Sequence, residues 1–174
     1  MFSTWWATLH SDTGTINSNK YIIIPCEVIM NIEELQNMWD VDSAIDDNYL
    51  GEASTTTPKL HAKYIKILIN KKLLQIKMQS EYNILRKNKF RYYRGELSRT
   101  ELESLGWEQW QGIKPLKNEM DEFLAGDDDL NKLQLRVEYL NTMVYMLESV
   151  MQQIKSREWQ IKNGIEWKKF LAGN

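Results

Sequence analysis

A chain of 174 residues, 43% hydrophobic and 26% charged, has the composition of one globular domain, large enough to bury a core and too short for two. Its one cysteine, Cys26, excludes an intrachain disulfide and any cysteine-built zinc site and fits a reducing compartment; no run of about eighteen apolar residues is present, so no membrane-spanning helix is expected. The net charge of −2 hides a segregation: residues 59–94 hold eleven Lys or Arg against one acid, 30–57 seven acids and no base, 95–131 ten acids against three bases, and 132–174 seven bases against four acids.

Residues 1–29 are rich in Ser, Thr and Asn and show no period beyond a short candidate strand at Tyr21 to Ile24, so they read as an appendage. They lack the basic n-region of a secretory signal, and their apolar run ends at Pro25. A helix is expected from Met30, where Ile32, Leu35, Met38 and Trp39 fall at helical spacing. Residues 51–57 (GEASTTT) read as a loop, with Thr57 as N-cap and Pro58 at the first helical position. From Pro58 to about Tyr93 no further Gly or Pro intervenes. Leu60, Tyr64, Ile67, Leu74, Met78, Tyr82 and Leu85 recur mostly at steps of three and four, with Lys71 filling a gap. One long basic helix is expected there, stopped by Gly95. Short helices follow at Arg99 to Leu105 and near Lys117 to Leu124, separated by a loop through Trp107 and Trp110.

Asp127, Asp128 and Asp129 open the last long helix, where acids favour the helix N-terminus. In it Leu133, Val137, Leu140, Val144, Leu147, Met151 and Ile154 alternate steps of four and three, a coiled-coil-type seam. Tyr139, Met143, Met146 and Val150 form a second row. The expectation is that one face packs on the basic helix while the other is left for an intersubunit contact, with Gly164 interrupting the end. The predicted fold is all-α: two long helices in an antiparallel hairpin, short connecting helices, and assembly into a ring-like helical oligomer.

The block Arg86-Lys87-Asn88-Lys89-Phe90-Arg91-Tyr92-Tyr93-Arg94 sets five cations among three aromatics. Cations displace counterions from phosphates and aromatic faces stack on unpaired bases, the two elements of single-strand binding. The competing reading makes the aromatics core and the cations a solvated face. On a helix Arg86, Lys89 and Tyr93 share one side and Lys87, Arg91 and Arg94 another. Lys59, Lys63 and Lys66 align upstream and extend the track or are plain surface. Catalytic patterns are missing: His10 and His61 are far apart, and no phosphate-binding Gly loop, nucleophile elbow or HExxH occurs. The Asp cluster as a metal-dependent nuclease centre lacks the spaced ligands of a calcium loop, and helix capping accounts for it better. No cofactor is called for.

From Met30 to Gly173 the chain resembles the UvsY family of recombination mediators of myovirus phages. The resemblance lies in Met30-Asn31-Ile32-Glu33-Glu34-Leu35-Gln36, in the basic motif Lys87-Asn88-Lys89-Phe90-Arg91-Tyr92-Tyr93, and in Gly106-Trp107-Glu108. It continues through the Asp-rich helix start and the closing block from Ile154-Lys155-Ser156-Arg157 through Ile161-Lys162 to Trp167-Lys168-Lys169-Phe170, the most specific of these. The resemblance implies a non-enzymatic factor in the cytoplasm of an infected bacterial host. It would bind single-stranded DNA as a ring-like homo-oligomer, a hexamer or heptamer, contact the phage single-strand-binding protein, and help load the RecA-like recombinase UvsX. The family's DNA-contacting cations fall on Lys87 and Lys89; the family has Arg at the second position and an acid where Arg91 stands, and Lys lacks the bidentate contacts of Arg. Residues 1–29 then read as an over-called start, with residues 58–94 as the DNA-binding helix, 95–127 as an acidic linker and 128–174 as oligomerisation helices. Ile161 joins the seam as an oligomer residue. The alternative is a helical adaptor whose cations match an acidic protein and no DNA.

Overall fold

The structure, a computed structural model, describes residues 30–173; the appendage at 1–29 and its candidate strand lie outside them. Five helices follow in order: α1 (Ile32–Ser43), α2 (Leu50–Tyr93), α3 (Arg99–Leu105), α4 (Met120–Ala125) and α5 (Asp128–Leu171). α2 and α5 have 44 residues each, about 66 Å at 1.5 Å per residue. They run antiparallel: Lys72 pairs with Glu148, Gln75 with Asn141 and Lys89 with Asp129.

The hairpin holds two hydrophobic clusters. In the first, Leu35 of α1 packs with Tyr64 and Leu68 of α2 and with Met143 to Ile154 of α5. In the second, Met78 and Leu85 of α2 pack with Met120 and Leu124 of α4 and Leu130 to Leu140 of α5. Between them the side chain of Gln75 donates to Asn141 at 2.6 Å, a polar rung that fixes the register of the two helices.

α1 starts where Asn31 accepts from the Glu34 amide at 2.7 Å and Glu34 accepts in return from the Asn31 amide at 3.1 Å, so two otherwise unpaired donors are satisfied reciprocally. Two buried cations tie α1 down. Lys71, which filled a gap in the apolar row, donates to the Met30 carbonyl at 2.9 Å. Burial pushes its ammonium below the ordinary lysine value, against the raising effect of Glu34. Arg157 donates to the carbonyls of Ser43 at 2.9 Å and Ala44 at 2.8 Å. Those carbonyls belong to the helix end, where no intrahelical donor is left.

Three expectations are corrected. α2 begins at Leu50, and Pro58 lies inside it. Threonine hydroxyls hold the backbone through that stretch: Thr55 donates to the Glu52 carbonyl, and Thr56 and Thr57 to that of Ala53. Leu50, 8% exposed, gives the added turns a hydrophobic anchor against Gly164 of α5. Gly164 itself does not interrupt α5; a Cβ there would stand 3.4 Å from Leu50, so the small residue admits the neighbouring helix. The second apolar row of α5 is not left bare either. Met143 and Val150 are buried in the cluster containing Leu35, and the Tyr139 hydroxyl accepts from the Ile32 amide at 2.9 Å.

Candidate nucleic-acid interface

The basic block occupies the last turns of α2, which ends at Tyr93 with Gly95 at φ 66°, a conformation that glycine adopts freely. The acidic segment after it folds back onto this end, and the two cationic rows of the helix meet different surroundings.

The row of Arg86, Lys89 and Tyr93 turns toward α5. Lys89, with a side chain only 10% exposed, lies 2.9 Å from Asp127 and 2.7 Å from Asp129, with its ammonium 4.8 Å from the Trp107 ring centre. The Tyr93 hydroxyl donates to Asp127 at 2.6 Å. Asp127 is also the N-cap of α5, accepting from the amides of Asp129 and Leu130 at 3.0 Å each. Burial alone would lower the Lys89 ammonium, but hydrogen bonds to Asp129 and Asp127 outweigh it and hold it above the ordinary lysine value. Burial would raise Asp127, but hydrogen bonds from Tyr93, the Leu130 amide and Lys89 hold it below the usual carboxylate range. Lys89 therefore does not stand beside Lys87 on the surface; it joins the end of α2 to the start of α5. Arg86 reaches Asp121 at 3.0 Å on the rim.

The row of Lys87, Arg91 and Arg94 turns outward. Lys87 is exposed and makes no ion pair among the described residues. Arg91 forms a two-pronged pair with Glu101 at 2.8 and 3.2 Å. That guanidinium, with the Ser98 amide and hydroxyl, holds the Glu101 carboxyl down at about 2. Arg94 pairs with Glu96 at 2.7 Å and lies 5.5 Å from the Phe90 ring centre. Both pairs stand in reach of solvent, where ion pairs are weak, so a phosphate can displace the carboxylates.

The tyrosines sit in an aromatic cluster. Tyr92 meets Trp107 and Trp110 edge-on at 5.2 and 5.7 Å, and Tyr93 meets Trp110 and Phe123 at 4.9 and 5.8 Å. In the sequence Trp107 and Trp110 stand in a loop, Trp107 also within the motif Gly106-Trp107-Glu108, and the opposite charge of the adjacent blocks is the signal that this segment closes on the helix. Of the upstream lysines, Lys63 pairs with Asp42, while Lys59 and Lys66 are exposed. The eight residues assigned to assembly, Leu133, Val137, Leu140, Val144, Leu147, Met151, Ile154 and Ile161, are each 9% exposed or less in the single chain. Their seam closes the hairpin itself.

Fold and site together define an all-helical hairpin protein that displays a row of cations at one end. A family model described as "Recombination, repair and ssDNA binding protein UvsY" matches residues 38–174, and the chain belongs to the UvsY family. The recombination protein uvsY of Enterobacteria phage T4 is 23% identical over 144 residues, covering 83% of this chain and 99% of that protein. A crystal structure of the bacteriophage T4 recombination mediator protein UvsY is similar with a TM-score of 0.72 at 23% identity, over 82% of this chain and 98% of that one. A second, from another lattice, has a TM-score of 0.70 at 20% identity, over 81% and 99%. The shared fold is that of the long-helix hairpin.

Proposed function

We propose that this chain is a recombination mediator that binds single-stranded DNA as a homo-oligomer and helps load a RecA-like recombinase onto DNA covered by single-strand-binding protein, in the cytoplasm of the infected host. Membership in a family of recombination, repair and ssDNA binding proteins, matched over residues 38–174, carries this reading. The outward row of Lys87, Arg91 and Arg94, with Arg86 on the rim, meets the phosphates. Lys89 positions that row by anchoring the helix end, and Tyr92 and Tyr93 shape the surface beside it.

Three outward cations with Arg86 beside them bind weakly, and an oligomer repeats the set along a strand, where linked sites gain about 10²–10⁴ in avidity. The seam residues being internal, the contact between copies falls to the far end of α5, where Trp159, Trp167, Phe170 and Leu171 are 61–71% exposed. A salt titration against oligo(dT) tests the reading. The log–log slope is expected at about −0.7 per phosphate contacted. No binding at low salt would leave the protein-only adaptor.

A further inference from the structure

Part of the acidic segment that follows α2 is built as a unit. Residues 95–106 run between two glycines in the left-handed region, Gly95 at φ 66° and Gly106 at φ 68°, where the chain turns at little cost. Between them α3 buries no residue. Beyond Gly106 the chain is fixed again: Trp107 meets Tyr92 edge-on at 5.2 Å, and its ring centre lies 4.8 Å from the Lys89 ammonium. Two carboxylates of this unit sit on the outward cations, Glu101 on Arg91 and Glu96 on Arg94. Glu101 also accepts from the Ser98 amide at 2.8 Å and the Ser98 hydroxyl at 2.9 Å. Its carboxylate is thus part of the α3 cap, and it leaves Arg91 with that cap intact only when α3 moves with it.

We propose that residues 95–106 are an acidic flap that occupies the phosphate positions of Arg91 and Arg94 and lifts as a unit when single-stranded DNA binds. The inference rests on the DNA reading above and adds its regulation. A guanidinium takes a carboxylate and a phosphate by the same two-pronged fit, and both prongs of Arg91 are taken by Glu101, at 2.8 and 3.2 Å. Its Nη2 donates further to the Glu96 carbonyl at 3.4 Å. A phosphate that claims this fork has to displace the carboxylate, and the cap makes that a displacement of α3. Both pairs join near neighbours in one chain, so each copy in an assembly carries its own flap. Apparent affinity is the intrinsic affinity scaled by the fraction of chains with the flap raised. Ion pairs in reach of solvent are weak, so the flap tempers binding and does not abolish it.

The test is oligo(dT) titration of the full chain at low salt, joined to hydrogen exchange sampled from milliseconds upward. Glu96→Gln with Glu101→Gln is expected to bind about fivefold more tightly than the wild type, an advantage that shrinks as salt screens the pairs. Gln at position 101 keeps the reciprocal cap, so α3 stays formed. Glu108→Gln with Glu122→Gln makes the same change in net charge at exposed acids that join no ion pair among the described residues. It acts only through the summed field and is expected to shift affinity by under about twofold. In the wild type the amides of Leu102 to Gly106 are expected to exchange faster once oligo(dT) is added, while those of the first turns of α5 do not. The proposal is overturned if the second pair of substitutions raises affinity as much as the first, which would make the effect one of net charge. It is equally overturned if the first pair brings no gain, or if DNA slows exchange in α3, which would make the segment a clamp on the strand. Failure of the wild type and both variants to bind oligo(dT) would overturn the DNA reading and this inference with it, whereas wild-type binding with no gain in the first variant removes this inference alone.

Discussion

Around α1 the hairpin is closed by hydrocarbon, with Leu35, Tyr64, Met143 and Leu147 at 0% exposure, whereas at the far end carboxylates from the α3 to α5 region close over the cations of α2. Buried cations serve both regions differently. Lys71 and Arg157 satisfy backbone carbonyls near α1, while Lys89 satisfies two carboxylates at the α5 N-terminus. Lys87 and Lys89 are two residues apart, about 200° around the helix axis, and their fates diverge completely. The lesson is that a lysine's role here follows the side of the helix it occupies, and the charge of the block alone does not decide it.

The comparison can be broken at several points. Leu147→Ala should cost about 3–5 kcal/mol, since a fully enclosed leucine leaves a cavity when truncated; chemical denaturation reads this directly. Lys89→Ala should cost about 3 kcal/mol, because it strands Asp127 beside an aromatic wall with one partner fewer. A loss under about 1 kcal/mol would show that the acid–base closure is no stronger than a surface pair.

The charge-closed end should also respond to pH. Asp127 is held below its ordinary 3.8, so its contribution is full above that value and is lost as pH falls through the lower folded value. Lys89 is held above its ordinary 10.5, so its contribution is full below that value and disappears as pH rises through the higher folded one. Urea midpoints across the acid range should therefore fall more steeply for the wild type than for Asp127→Asn.

Smaller effects belong to the surface row. Lys87→Glu should weaken oligo(dT) binding about tenfold and flatten the salt slope by about 0.7, with unfolding unchanged. Glu101→Gln should free Arg91 and raise DNA affinity about two- to threefold, with the urea midpoint close to that of the wild type.

Much of the fold was legible because its signals are local. The α3 bounds Arg99–Leu105 follow from Ser98 and Glu101, which form a reciprocal cap, and from Gly106 at φ 68°. The end of α2 at Tyr93 follows from Gly95. Signals settled by distant partners were illegible. Pro58 carries the mark of a first helical position, yet Leu50 packing beside Gly164 extends the helix upstream of it. The four-three seam of α5 is the same for a partner within the chain as for one outside it, and here α2 fills it. Helical spacing separated the two cationic rows of the basic block correctly. Which row faces inward depended on where Asp127 and Asp129 fold back, a contact 40 residues away in the case of Lys89 and Asp129.

The most direct measurement pairs Lys87→Glu with Lys89→Met, each followed by urea unfolding and by oligo(dT) titration at low salt. The expected result is a crossed pattern: Lys87→Glu keeps wild-type stability and loses DNA affinity, while Lys89→Met loses stability and, where folded, binds DNA as the wild type does. Wild-type DNA binding by Lys87→Glu, or a stably folded Lys89→Met that no longer binds DNA, would contradict the division of roles between the two lysines.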